Sequence, residues 1–355
     1  MDTSPEQDNG KPLAKEKPHW WIYQGSGEPH DGMDGLPPPP PWRAFTGEPL
    51  VHPQLSEDEA VSRRLGLVTR GLGYRPDDEV VEMVNAALYL RRPLLITGKP
   101  GTGKSTLAYS IAHELQLGPV LYWPINTQST LHEGLYDYDA IGRLQEANLH
   151  QASSLSRTQF TPDIGRFIQL GPLGTALLPQ ARPRVLLIDE LDKSDIDLPN
   201  DLLNVFEEGR YLISELSRLP EDQSVVEVMV SSGTDRVPVR RGHVQCHAFP
   251  VIVITSNGER EFPPAFLRRC MRLDIKPPDH DQLVSIVAAQ LGEEETRHSI
   301  DLIERFIERR DQGDIATDQL LNAIYLATSG ARLPGQGWER LENALLRSLE
   351  SAEQP

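Results

Sequence analysis

The amino-acid sequence predicts an α/β fold in which a parallel sheet is sandwiched between helices and is followed by a small all-helical domain. Four short apolar runs have the character of strands buried on both faces, and segments with helical periodicity separate them. These runs are residues 93–97, 120–123, 184–188 and 251–254. After Pro277-Pro278 the strand-like runs stop, and the apolar residues recur at helical spacing.

The length and charge of the chain limit its organisation and its partners. With 355 residues, 38% of them hydrophobic, the chain can form two or three compact units. Lys and Arg number 35 against 52 for Asp and Glu, which gives a net charge of −17. Unless basic residues cluster on one face, such a surface repels a phosphate backbone, so nucleic acid is not the expected partner.

Cysteine usage favours a reducing setting, and the hydropathy pattern argues against a membrane-spanning segment. The chain has only Cys246 and Cys270, too few and too far from any metal-binding spacing to indicate a disulfide framework or a zinc site. No run approaches the roughly 20 apolar residues that span a bilayer, and the amino terminus lacks the apolar core of a signal peptide. We therefore expect a cytoplasmic protein that does not cross a membrane.

Residues 1–50, called here the N-terminal arm, are polar and rich in Gly and Pro, with five consecutive prolines at 37–41. A proline run favours an extended conformation without its own core. The arm also contains aromatic residues, in which flexible tails are usually poor. They are Trp20, Trp21, Tyr23, Trp42 and Phe45. We expect part of the arm to dock on a neighbouring surface; the alternative is a flexible tail.

Two further elements are predicted from periodicity. A helix begins near Asp77, with acidic residues in its first turn and apolar residues at 80, 81, 84, 87 and 88. Residues 225–239 contain two β-branched runs around a turn with Gly233, which predicts a β-hairpin inserted into the parallel core. The predicted organisation is an arm at 1–50, an α/β domain at 51–277 and a helical domain at 278–355.

The strongest motif joins the first predicted strand to the following helix. Residues 98–105 read GKPGTGKS, the complete phosphate-loop pattern, in the strand–loop–helix context that this motif requires. The glycines allow backbone N–H groups to close around phosphates, Lys104 reaches the β and γ phosphates, and Ser105 ligates magnesium. The motif predicts a P-loop NTPase that binds ATP and Mg²⁺. The candidate nucleotide-binding residues are Gly98, Lys99, Pro100, Gly101, Thr102, Gly103, Lys104, Ser105 and Thr106.

Two carboxylates follow the third predicted strand. Asp189 and Glu190 come directly after an apolar run, at the carboxyl end of a strand, where open parallel sheets bind ligands. We expect Asp189 to hold magnesium and Glu190 to polarise the attacking water, because hydrolysis needs an acceptor for the water proton. The alternative is a helix-capping acidic cluster, since Asp192, Asp195 and Asp197 come next.

Three polar residues farther along complete the candidate site. Asn257 follows the fourth predicted strand and could orient the water or contact the γ phosphate, although Asn-Gly is also a common turn. Arg268 and Arg269 lie too far along the predicted fold to reach their own nucleotide easily. An arginine from a neighbouring subunit can stabilise charge on the transferred phosphoryl group. The alternative is a solvated basic pair preceding a strand.

Taken in order, these motifs resemble those of the MoxR-like group of AAA+ ATPases over roughly residues 50–350. The phosphate loop is similar to the Walker A motif of that group, and residues 186–190 are similar to its Walker B motif. Asn257 resembles sensor 1, and Arg269 resembles the arginine finger. The resemblance implies an AAA+ core with a helical lid.

Other segments carry the same resemblance. Gly171-Pro172-Leu173 is similar to the segment that precedes Walker B, and Asn126 matches the polar position that restrains the Walker B glutamate in AAA+ proteins. By resemblance, residues 128–165 are the helix-2 insert and residues 223–249 form the hairpin before sensor 1, both facing the pore of a ring. The implied assembly is a homo-oligomer, a hexamer, that works on a protein client, often beside a von Willebrand A domain protein.

The helical lid departs from the family pattern. Where MoxR-like lids usually carry an arginine, this chain has Asp318, whose charge is wrong for contacting a γ phosphate. The sensor 2 function is therefore absent or supplied by another residue, such as Arg332.

Two functions remain open from the sequence. In the first, ATP hydrolysis moves pore loops and remodels or activates a partner protein. In the second, ATP orders an oligomer that recruits an effector as a switch or scaffold, and slow hydrolysis resets it. The missing sensor 2 arginine and the aromatic arm favour the second.

Overall fold

The computed structural model describes residues 17–53, 76–153, 162–310 apart from 232 and 234, 315–329 and 345. Arg332 lies outside these residues. The described strands are β1 Leu94–Thr97, β2 Leu121–Pro124, β3 Tyr136–Tyr138, β4 Ile168–Leu170, β5 Val185–Asp189, β6 Arg210–Leu212, β7 Val225–Met229, β8 Arg236–Arg240, β9 His243–Gln245, β10 Val251–Ser256 and β11 Met271–Asp274.

The described α-helices lie mainly between these strands and after the last one. They are α1 Asp78–Leu90, α2 Lys104–Glu114, α3 Leu131–Leu135, α4 Ala140–Ser153, α5 Pro172–Ala176, α6 Leu198–Glu208, α7 Ser214–Ser217, α8 Pro264–Leu267, α9 His280–Leu291, α10 Glu293–Arg297, α11 Ile300–Arg310 and α12 Thr317–Thr328. At the start of α1, the Asp77 side chain accepts a hydrogen bond from Val80 N, as an N-cap residue does.

The central sheet has the strand order β11-β1-β10-β5-β2, and all its neighbouring strands run parallel. The four apolar runs predicted as strands form β1, β2, β5 and β10, while β11 adds an edge strand. Ile188 pairs with Ile254 on one side and with Trp123 on the other. The predicted parallel α/β core is confirmed, and the carboxyl ends of its strands meet at one edge.

Side chains alternate across this sheet and divide the apolar core in two. Val185 and Leu187 belong to a cluster that includes α1 and α2. Leu186 and Ile188 belong to a cluster that includes α5, α6 and residues of a second sheet. All four side chains are fully buried. Because both faces are covered, successive residues of β5 can all be apolar.

The second sheet has the order β3-β4-β7-β8-β9-β6. Its centre is the antiparallel hairpin of β7 and β8, which the sequence predicted. Strand β4 runs parallel to β7 and antiparallel to β3, so the region after β2 and the hairpin before β10 form one unit. Four of the six strands have only three residues, too few to show a clear alternation of apolar and polar side chains in the sequence.

Part of the N-terminal arm packs on α1 and α2. Trp21, Ile22 and Tyr23 are buried in the cluster formed with these helices. The amide oxygen of the buried Asn85 accepts hydrogen bonds from the backbone N–H groups of Ile22 and Tyr23. The Tyr23 hydroxyl lies 2.8 Å from the hydroxyl of Ser110 on α2. The arm thus supplies side chains to the main core, whereas its Trp42 is exposed.

After the sheet, α9, α11 and α12 form a third apolar cluster of their own. The beginning of α12 lies against the phosphate loop: a methyl group at Gly101 would come within 2.6 Å of Thr317 N. The helical region therefore contacts the loop that precedes α2. Among the described residues, no helix combines the length and apolar character needed to cross a membrane.

Candidate active site

The phosphate loop connects β1 to α2 through backbone conformations that favour glycine. Gly98, Gly101 and Gly103 have φ angles of 148°, 76° and 84°. An L side chain is strained at these angles, so glycine spares the loop that cost. Gly103 is the N-cap residue of α2 and offers no side chain to cap the helix. The first N–H groups of α2 are thus available to phosphate oxygens.

Lys104 is buried at the start of α2, with 7% of its surface exposed. Its ammonium donates hydrogen bonds to Gly98 O at 2.7 Å, Lys99 O at 2.8 Å and Asn257 Oδ1 at 2.9 Å. Burial lowers the pKa of Lys104, and carboxylates near the end of β5 oppose this effect. The ammonium bridges the phosphate loop and the loop after β10, with acceptors that phosphate oxygens can replace.

Asp189, the last residue of β5, lies between two hydroxyl groups. Its Oδ1 accepts hydrogen bonds from Ser105 Oγ and from Thr255 Oγ1, both at 2.7 Å. The hydroxyl of Tyr122 on β2 lies 3.3 Å from Asp189 Oδ2. Ser105 and Asp189 thus bring two oxygen ligands together beside the phosphate loop. Hard oxygen ligands of this kind suit Mg²⁺, whose remaining positions are usually filled by phosphate and water.

Glu190 adopts a left-handed backbone conformation with φ 61°, which is unusual for a residue with a side chain. Its N–H donates to Thr255 Oγ1 at 2.8 Å, so one hydroxyl holds both carboxylate residues. The Glu190 carboxylate pairs with Lys193 Nζ at 2.7 Å and accepts a hydrogen bond from Asn257 Nδ2 at 3.4 Å. The hydrogen bond from the Lys193 ammonium to the Glu190 carboxylate raises the pKa of Lys193. Strained backbones of this kind are common at functional sites.

Asp192 is buried beside the loop that follows β10, with 3% of its surface exposed. Its Oδ2 accepts hydrogen bonds from the N–H groups of Asn257 and Glu259, at 2.9 and 3.1 Å. Among the acidic residues after β5, Asp192 thus stabilises the loop after β10 rather than capping a helix. Asp197, at the N-cap position of α6, makes no side-chain capping bond.

Asn126 follows β2, beside the end of β5, because Ile125 N donates to Asp189 O at 3.0 Å. The amide oxygen of Asn126 accepts a hydrogen bond from Gln128 N at 2.8 Å, so it stabilises its own loop. Among the described residues, the side-chain hydrogen bonds of the Glu190 carboxylate come from Lys193 and Asn257.

The two candidate arginines lie outside this cluster. Arg269 donates through Nε to Glu207 Oε1 at 2.8 Å and through one terminal nitrogen to Ala265 O at 3.2 Å. Arg268 is exposed, and its carbonyl accepts a hydrogen bond from Arg92. Within the described residues, none of the hydrogen bonds of Arg269 reaches the phosphate loop or the carboxylates after β5. The hydrogen bonds of Arg269 thus hold its guanidinium outside the cluster of its own chain.

Further residues make contacts at this edge of the sheet but were not predicted as site residues; of these, Asp192 was considered only for helix capping. They are Tyr122, Asp192, Lys193 and Thr255. Thr255 had a signal, because it is the first hydroxyl in the apolar run of β10. Tyr122 and Lys193 had none, since a strand tyrosine and a lysine next to acidic residues are common features.

The donor set fits a nucleoside triphosphate with magnesium. Three glycines with positive φ leave room for phosphates, a buried ammonium provides positive charge, and two adjacent oxygens can ligate a cation. Comparison with known protein families gives an independent result. The family model of the AAA domain (dynein-related subfamily) matches residues 93–270, from the start of the β1 region to the residue after Arg269. This match covers just over half of the chain. The chain therefore belongs to the AAA domain family, in its dynein-related subfamily.

Proposed function

We propose that this protein is a Mg²⁺-dependent ATPase of the MoxR-like kind, which uses hydrolysis to remodel or activate a partner protein. One observation carries the proposal: Lys104, Ser105, Asp189, Glu190 and Asn257 form a connected hydrogen-bonded cluster at the carboxyl edge of the parallel sheet. The AAA family assignment supports ATP-driven activity in general.

Each residue of the cluster has a distinct task in this proposal. The Lys104 ammonium exchanges its carbonyl and amide acceptors for phosphate oxygens. Ser105 and Asp189 hold the magnesium ion, which neutralises phosphate charge when bound. Glu190 accepts the proton of the attacking water, and Asn257 orients that water. The amide of Asn257 already contacts both Lys104 and Glu190, so it lies between the cation and the base.

The proposed working form is a homo-oligomer, a hexameric ring, in which Arg269 completes the site of the next subunit. The bonds of Arg269 to Glu207 and Ala265 support this assignment, because they leave the guanidinium outside its own site. Apolar side chains on α4 provide a surface for a protein client. Ile141, Leu144 and Leu149 are all more than 60% exposed. A von Willebrand A domain protein is the proposed kind of partner.

The test of this function is the substitution Glu190→Gln. It keeps the shape of the side chain but removes the base, so we expect phosphate release to fall by at least about a hundredfold while ATP binding survives. Fluorescent nucleotide titration would measure binding, and a coupled phosphate assay would measure turnover. The exposed Glu261 provides a matched control, since Glu261→Gln changes the same group outside the cluster. Normal turnover by Glu190→Gln would remove the assigned role of Glu190.

A switch or scaffold is the second candidate, and two observations favour it. Glu190 pairs with Lys193, so its carboxylate must exchange this cation before it is free to accept a proton. The first turn of α12, beside the phosphate loop, carries the acidic Asp318 and has no basic residue. Assembly that depends on ATP, with negligible turnover even when a client is present, would support the switch. Sedimentation velocity with ADP or a non-hydrolysable ATP analogue separates these outcomes.

A further inference from the structure

The guanidinium of Arg269 is anchored on one side only. Its Nε and one terminal nitrogen donate to Glu207 Oε1 and Ala265 O. Within the described part of the chain, the other terminal nitrogen has no hydrogen-bond partner. The side chain is 36% exposed, so this remaining edge can reach a group from another molecule. The contacts therefore orient the guanidinium without using up its donors.

Glu207, near the end of α6, lies between two guanidinium groups. Its Oε1 accepts the bond from Arg269 at 2.8 Å, and its Oε2 lies 4.0 Å from a terminal nitrogen of Arg43. Arg43 belongs to the N-terminal arm and has 3% of its surface exposed, whereas Glu207 is 42% exposed. The carboxylate thus connects a buried cation of the arm to the half-exposed candidate finger.

Arg43 is fixed by its surroundings. One terminal nitrogen donates to the carbonyl of Phe206 on α6, and the guanidinium carbon lies 5.3 Å from the centre of the Phe249 ring. Phe45 of the arm stacks on the same ring with 5.5 Å between the ring centres. Burial lowers the pKa of Arg43, and the Glu207 carboxylate opposes this effect. A buried guanidinium with these contacts cannot follow a mobile carboxylate, so it presents a fixed positive charge 4.0 Å from Glu207 Oε2.

We propose that Glu207 is a positioning residue for Arg269, that Arg43 of the N-terminal arm fixes Glu207, and that together they aim the finger at a neighbouring subunit's nucleotide. This inference rests on the proposed function, in which Arg269 acts between subunits. The arm then contributes to catalysis through the interface between subunits. Displacing a catalytic group by about 1 Å can cost about a hundredfold in rate, so such anchoring has a measurable effect.

The neighbouring residue of α6 supplies a matched control. Glu208 pairs with Arg210 at 3.0 Å, and both side chains are about half-exposed. Glu207→Gln and Glu208→Gln therefore remove the same charge from adjacent positions of one helix. We expect Glu207→Gln to lower kcat by about tenfold to a hundredfold with little change in KM for ATP, because positioning acts on the transition state. We expect Glu208→Gln to match the wild type.

Mixing two variants tests which side of the interface Glu207 serves. A Glu207→Gln subunit keeps its own ATP site, and a Glu190→Gln subunit keeps a correctly positioned finger. If Glu207 acts on the finger, mixed oligomers regain turnover wherever a Glu190→Gln subunit presents its Arg269 to the intact ATP site of a Glu207→Gln subunit. Turnover above the average of the two separate variants is the expected result. No such gain would overturn the inference, because a local structural role of Glu207 would not be complemented.

Two further variants separate this inference from the proposed function. Full turnover by Arg269→Ala would refute the finger and with it this inference, whereas the proposed ATPase activity would stand and would fail only if Glu190→Gln kept normal turnover. Loss of turnover in Arg269→Ala but not in Glu207→Gln would overturn the positioning role alone. Adding Glu207→Gln to Arg269→Ala should change the residual kcat by less than about twofold, because the two residues act as one unit. This double variant remains informative even if Glu207→Gln lowers the melting temperature.

A substitution of Arg43 tests the role of the N-terminal arm. Arg43→Lys keeps a positive charge but loses the planar fork that contacts the Phe206 carbonyl and the Phe249 ring. We expect its kcat to fall in the same direction as that of Glu207→Gln, with circular dichroism confirming that the protein is folded. An unchanged kcat in this folded variant would remove Arg43 from the inference.

Discussion

Replacing Glu114 by alanine should detach the N-terminal arm from the helix of the phosphate loop. Glu114 is the last residue of α2, and its carboxylate is fully buried beneath the arm. Five donors of the arm contact its two oxygens at 2.5 to 3.2 Å. They are Gln24 N, Gly25 N, Ser26 Oγ, Gly27 N and His30 Nε2. The substitution removes all five contacts and leaves the buried N–H of Gly27 without its acceptor.

The expected loss of stability follows from these contacts. Hydrogen bonds to a charged group contribute about 1.5–3 kcal/mol each. Water can replace part of those made by the exposed or half-buried donors, so the loss should equal about two such bonds, about 3–6 kcal/mol. For a domain of this size that lowers the melting temperature by about 10 °C. Differential scanning calorimetry measures the shift, and the exposed Glu82 on α1 provides the control Glu82→Ala.

Proteolysis gives a second readout of the same change. The Tyr23 side chain, next to the residues that Glu114 holds, is fully buried, so chymotrypsin should cleave after Tyr23 slowly in the wild type and quickly in Glu114→Ala. A melting temperature within about 2 °C of the wild type, corresponding to a loss below about 1 kcal/mol, would refute the reasoning. Immediate cleavage of the wild type after Tyr23 would also contradict the docked arm.

Three further predictions concern the phosphate loop, the lid and the thiols. Gly101→Ala should raise the Kd for ATP at least about tenfold in calorimetric titration, because a methyl group there meets Thr317 N at 2.6 Å and φ is 76°. The control Gly258→Ala has a similar φ of 81° in open space, so an equal loss would contradict the clash. Asp318→Arg should lower the Kd for ATP by about tenfold, since one charge-assisted hydrogen bond is worth about 1.5 kcal/mol; unchanged affinity and turnover would exclude this lid position. Burial raises the pKa of both cysteine thiols to about 12, so a thiol-reactive disulfide reagent at pH 8 should modify neither until the protein is denatured.

The sequence predicted the parts of the fold that have strong local signals. The apolar runs at β1, β2, β5 and β10 were visible because both sheet faces are covered, and the hairpin of β7 and β8 was visible from its β-branched residues. Strands such as β6 and β9 were not predicted, since three residues cannot establish a periodicity. Their pairing depends on partners distant in the chain, to which local patterns are insensitive.

The candidate site also contains residues that the sequence predicted and residues that it did not. The phosphate loop and the carboxylates after β5 were predicted because their chemistry requires specific residue types in sequence order. Thr255 and Lys193 were not predicted, although both contact Glu190. A hydroxyl or an ammonium becomes part of such a site only when the fold brings it to the carboxylate. The hydrogen bond from Gln128 N to the Asn126 amide oxygen was not predicted either, because it depends on the conformation of the loop after β2.

The sequence by itself left docking and a flexible tail open for the aromatic arm, but it determined the parallel α/β core and the phosphate loop. Each of these follows from local composition, because buried strands need apolar runs and tight phosphate loops need glycine. Only the tertiary structure decided where the arm docks: Tyr23 lies over α2 and Arg43 lies beside Glu207. These contacts join residues more than 80 positions apart, and such pairs arise from packing the whole chain rather than from any local pattern.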